Sequence, residues 1–176
     1  MCHLQPEMAT RGQTMIRFQT LLVASSLLAV SVAQSPVVGF SEGRGVALNA
    51  NGGQVAFQYN GVKLQDGTVR GGGTFTFTNA QNKERVSIHV REWREFAAQV
   101  PVAEMGGPVR MVIEGPQGLH VVEGKLAMRV ADLRTRTSDP QDLRDQIRLV
   151  VTNPQNTVAF RYEGAVREGD LVVRSN

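Results

Sequence analysis

Apolar and polar residues alternate along most of this chain with a period of two. Val46 and Leu48 open the series, Val55, Phe57 and Tyr59 continue it, and Phe75 and Phe77 stand between Thr74, Thr76 and Thr78. Val86, Ile88 and Val90 then alternate with Arg85, Ser87, His89 and Arg91, and Val109, Met111 and Ile113 follow. The spacing returns at Leu126, Met128 and Val130, at Ile147, Leu149 and Val151, at Val158, Phe160 and Tyr162, and at Leu171 and Val173. Successive side chains of a strand point to opposite faces, so this period marks strands with one face buried and the other in water.

The breaks carry turn chemistry. "NANGG" (49–53), "QDG" (65–67), "NAQN" (79–82), "EMGGP" (104–108), "EGPQG" (114–118), "TNPQN" (152–156) and "REGD" (167–170) each supply Gly, Asn, Asp or Pro. The pattern predicts an all-β antiparallel fold of about nine or ten short strands. A β-sandwich is the expected arrangement, with a closed barrel as the alternative. Its expected core is Val55, Phe57, Phe75, Phe77, Val86, Ile88, Met128, Val130, Ile147, Leu149, Phe160 and Tyr162. Two stretches read as helical. "REWREFAAQ" (91–99) has room for two turns, with Trp93 packed over a sheet end and its charged neighbours in water. "SDPQDLRDQ" (138–146) reads as one turn, with Asp139 as N-cap, Pro140 first in the helix and Asp142 three residues after the cap.

The N-terminal region departs from this alternation. "MIRFQTLLVASSLLAVSVAQS" places Arg17 after Met15, an apolar run from Leu21 to Val32, and small residues at Ser31 and Ala33. That layout predicts a secretory signal peptide cleaved after Ala33. A run of about a dozen apolar residues is too short to span a bilayer comfortably. Residues 1–33 are therefore expected to be leader, with Met15 as the true start, and residues 34–176 one all-β domain, secreted or periplasmic, without a membrane span. The predicted mature chain has no cysteine, so it uses neither disulfides nor thiol chemistry. It carries 17 Lys+Arg against 15 Asp+Glu, too small an excess to point to nucleic acid.

Candidate chemistry is sparse. Three glycines in "VRGGGTFTFT" lead into a strand, whereas a phosphate loop leads into a helix whose N-terminus holds the anion. Gly71 to Gly73 are read as a bulge or a close backbone approach. His89 lies on the polar face of its strand among Arg85, Ser87 and Arg91, and His120 has no neighbouring ligand, so both read as solvated histidines. Glu92 and Glu95 flank Trp93, the ingredients of a sugar site, but interleaving with Arg91 and Arg94 favours surface ion pairs. Asp132, Asp139, Asp142 and Asp145 form the richest acidic group and are the candidate calcium ligands; Arg134, Arg136 and Arg144 among them favour caps and ion pairs instead. No Gly-x-Ser-x-Gly elbow is present, and Ser35, Ser41, Ser87, Ser138 and Ser175 have no recognisable activating neighbour.

The series "GKLAMRVAD" (124–132), "RDQIRLVV" (144–151) and "FRYEGAVREGDLVVRS" (160–175), with the earlier "RGGGTFTF", resembles a family of secreted bacterial all-β domains sometimes labelled post-COAP. Asp132, Asp145, Ile147, Arg148, Leu149, Tyr162, Gly169 and Val172 fall on the family's positions. "YEG" stands where the family often has "YDN", and the 133–144 loop is long and rich in arginine. The resemblance implies an exported β domain of the bacterial cell envelope and no catalytic residues. The expected function is thus a non-enzymatic interaction or structural module, with no catalytic site or cofactor and a protein or polysaccharide partner. The alternatives are a carbohydrate- or calcium-dependent binding domain using Trp93 and the 132–145 loop, and a hydrolase that assembles two of Asp132, Asp142, Asp145, Glu92 and Glu95 in space.

Overall fold

The structure, a computed structural model, describes residues 35–79, 84–133 and 144–176. Its strands are β1 (Val37–Leu48), β2 (Gln54–Leu64), β3 (Val69–Asn79), β4 (Glu84–Val90), β5 (Glu95–Gln99), β6 (Val102–Gly115), β7 (Gly118–Ala131), β8 (Gln146–Thr152) and β9 (Val158–Ser175). All pairings are antiparallel, in the order β4-β3-β2-β1-β9-β8-β7-β6-β5, and a further β4–β6 ladder closes the sheet on itself. The fold is all-β, as the alternation predicts, but it is the closed barrel and not the sandwich.

Eight staves make the barrel. β4 and β5 lie end to end along the same side of β6, with Val90 opposite Val109 and Glu95 opposite Gly106. The chain between them forms a bend held on both sides: the Trp93 amide donates to the Gly71 carbonyl at 3.1 Å and the Arg94 amide to the Gly106 carbonyl at 2.8 Å. The helix expected over 91–99 is therefore a bend followed by strand β5. The strands are also longer than predicted, up to 18 residues in β9. The 138–143 part of the other expected turn lies outside the described residues.

Curling one sheet into a barrel of this size requires small side chains where large ones converge. Strand β1 supplies them. Its inward positions Gly39, Ser41, Gly43 and Ala47 are all buried. A Cβ on Gly39 would stand 2.8 Å from the Phe96 ring, and one on Gly61 of β2 would stand 2.9 Å from the same ring. Val46 and Leu48, which open the alternation, are only partly buried, and Ala47 between them faces in, where a register shift bends β1 against β9.

The remaining expected core residues do face the interior, where burial contributes about 1.5–3 kcal/mol per large side chain before entropy. Phe77 and Phe160 are only partly buried and meet edge to face at 5.6 Å, with Tyr162 at 5.9 Å from Phe77. Apolar side chains fill the inside while Arg44, Gln58, His89, Arg110, Arg129 and Arg148 line the outside. A lipid-facing barrel carries the reverse pattern. Among the described residues, no helix is long and apolar enough to cross a membrane.

Candidate functional site

Strand register sets the outward side chains of β9, β1, β2 and β3 side by side. Arg44 stands between Asp170 on β9 and Gln58 on β2, and Gln58 in turn faces Thr74 on β3. One rung along, Glu42 stands between Val172 and Asn60, and Asn60 faces Gly72. These residues line an open groove of about 750 Å3 whose floor includes Gly43, Gly72 and Gly73. A second groove of about 510 Å3 shares Arg44, Gln58 and Thr74 and extends over Ala56, Thr76 and Glu168.

The trough follows from packing on the other side of the wall. A Cβ on Gly72 would lie 2.5 Å from the Val90 carbonyl oxygen, and one on Gly73 would lie 2.8 Å from the Tyr59 Cβ. Gly71 adopts φ +113°, which glycine reaches without strain. The glycine run is thus a close backbone approach, as its context predicts. Gly72, opposite the outward Asn60, puts no side chain into the groove.

The groove gathers charged side chains that have no partner within it. Glu42, Arg44, Glu168 and Asp170 form no ion pair within the described residues. Over β5 to β9 some charges pair: Lys125 Nζ lies 2.6 Å from Glu95, Arg129 3.6 Å from Glu104, and Arg148 3.9 Å from Glu163. The groove over β1 therefore presents three carboxylates and one guanidinium without internal partners, beside the amides of Gln58 and Asn60 and the Thr74 hydroxyl.

Behind the floor lies a buried polar cluster. The Tyr59 and Ser41 hydroxyls are 3.2 Å apart, and burial pushes the Tyr59 phenol well above its usual range, against a smaller opposing effect of the Ser41 hydrogen bond. The nearby charges of Asp145, Asp132 and Glu42 add to the rise. Asp132 is 6% exposed and Asp145 0%. One Asp145 carboxylate oxygen accepts the Leu133 amide at 3.0 Å, and one of Asp132 accepts the Val173 amide at 3.3 Å. These bonds hold Leu133 and Val173 of β9 to the two buried carboxylates.

Of the carboxylates considered for paired acid–base chemistry, Asp132 and Asp145 come together, but inside the protein. Glu92 and Glu95 are exposed and engaged with Arg94 and Lys125. Asp139 and Asp142 lie outside the described residues, and the described residues contain no cluster of three or more potential metal-binding side chains. Trp93 is 2% exposed, and its indole N–H donates to the Asn60 carbonyl at 2.7 Å. It belongs to the buried core and offers no face for a sugar, which corrects its candidacy as a stacking platform. His89 and His120 are exposed on the wall.

Sequence reasoning missed the groove. Its side chains look individually like any solvated strand face, and only the cross-strand register assembles them. The one legible signal was the period-two run of small residues in β1. No known family, characterised protein or solved structure matches this chain.

Proposed function

We propose that this chain is an exported, non-catalytic β-barrel that acts as an interaction module outside the cytoplasm, holding its partner in the groove across β9, β1, β2 and β3. The observation that carries this reading is that Glu42, Arg44, Glu168 and Asp170, which form no ion pair among the described residues, gather in one groove beside amide and hydroxyl groups. Three acids to one base, with amide and hydroxyl groups between them, suit a polar protein segment that carries lysine or arginine. The leader at residues 15–33 supports export, and the filled interior supports a wall-based site. The carbohydrate reading loses Trp93 to the core, and the calcium reading loses lone pairs of Asp132 and Asp145 to main-chain amides.

Thermal unfolding of Gln34–Asn176, followed by Trp93 fluorescence, tests the proposal with oligolysine, calcium, a chelator and soluble polysaccharides. Oligolysine at a hundred times its dissociation constant is expected to add about 2.7 kcal/mol and raise the midpoint. The double variant Glu42→Gln/Asp170→Asn should abolish that shift, and Glu104→Gln on the far wall should keep it. A midpoint raised by calcium or a polysaccharide but not by oligolysine would overturn the reading.

A further inference from the structure

Among the described residues, closure leaves one part of the barrel wall without a second neighbour. β7 pairs with β6 along its whole length, but its ladder with β8 begins only at Lys125, opposite Thr152. Among the described residues, Gly118 to Glu123 therefore form an edge. The Asp132 amide bonds the Pro101 carbonyl at 2.9 Å, one position beyond the Val102–Ala131 pair, and this fixes the alternation along the ladder. Even-numbered residues of β7 turn their main-chain groups toward β6, and odd-numbered ones turn them away. Leu119, Val121 and Glu123 thus present N–H and C=O groups to the open side.

Proteins usually protect such an edge with lysine, proline or a covering segment. "GLHVVEG" (118–124) has neither lysine nor proline, and its single charge, Glu123, lies 3.7 Å from Arg110 on β6. Leu119 is 62% exposed and Val121 45%, two of the five large apolar residues left on the surface of the described chain. Both lie on the outer face, where Val112 of β6 stands opposite Val121.

We infer that two copies of this chain join edge to edge through β7, antiparallel, about a two-fold axis at Val121. In that register Val121 meets the partner's Val121 and Leu119 meets the partner's Glu123. The three outward-turned residues of each copy then exchange about six main-chain hydrogen bonds. The segment suits this symmetry: glycine stands at both ends, valine at the centre, and the one acidic residue opposes a leucine and not its own copy. The exposed Leu119 and Val121 of both copies merge into one apolar strip. This interface lies away from the groove over β1 and does not depend on it.

Sedimentation velocity of Gln34–Asn176 from about 1 to 200 µM tests the inference, with dimer formation expected to rise across that range for an interface this small. The Val121 N–H points away from β6, so Val121→Pro removes no hydrogen bond within the barrel. That variant should keep its thermal midpoint within a few degrees and weaken dimerisation at least tenfold. Should it fail to fold, Val121→Lys places like charges against each other at the axis and should give the same loss, while Val37→Lys, an exposed apolar residue elsewhere, should not. A wild-type chain that stays monomeric throughout the range, or an edge variant that dimerises as the wild type does, overturns the inference.

Discussion

Tyr162 and Tyr59 are the residues whose chemistry the fold changes most clearly. Burial pushes the Tyr162 phenol up to about 12 and Tyr59 higher still, so the folded state holds both protons where an unfolded chain releases them near pH 10. Their contribution is fully present below about pH 10 and is lost as pH rises through the folded values. The thermal midpoint should therefore fall steeply above about pH 10. Tyr162→Phe, which removes one titrating group from the interior, should flatten that fall, measured by circular dichroism across pH 8 to 12. A midpoint that falls equally in both proteins would show that the phenol of Tyr162 does not titrate against folding. At this same scale Gly71 to Gly73 were legible, because a strand follows them where a phosphate site needs a helix.

Alternation located the elements well, because one face of nearly every strand meets the apolar interior. It failed where local geometry overrides it. Over 91–99, helical spacing of charges suggested turns, but the Trp93 and Arg94 amides bond to β3 and β6 and draw the segment into the wall. In β1 the inward residues are glycine, serine and alanine, which carry no apolar signature, so the alternation there was read from Val46 and Leu48 instead. Asp132 and Asp145 have an element-scale role as well. Asp145→Ala should destabilise the barrel by about 1–3 kcal/mol by leaving the Leu133 amide without its acceptor, whereas Asp145→Asn should cost less. Urea unfolding of the two variants beside the wild type measures the difference, and equal losses would remove the Leu133 bond as the cause.

The whole molecule depends on pairings between distant parts of the chain. β1 meets β9 from Gly39–Ser175 to Leu48–Ala165, and the barrel cannot close until the last strand is in place. Such contacts close long loops before they add stability, so refolding from urea should take milliseconds to seconds, not microseconds. Stopped-flow Trp93 fluorescence reads this directly, since the indole is buried between β2, β3 and the β4–β5 bend. A microsecond refolding phase carrying the full amplitude would contradict it. The sequence by itself determined that the chain is all-β, which residues alternate inward along most strands, and that no histidine, cysteine or serine constellation announces a reaction. Those properties reside in residue type and spacing, which act locally. Tertiary structure alone decided that the sheet closes, that Trp93 is core, that two aspartates are buried against the Leu133 and Val173 amides, and that scattered polar residues form a groove. Each depends on register between strands far apart in the chain, and register is set by how small residues on one strand admit large ones from another.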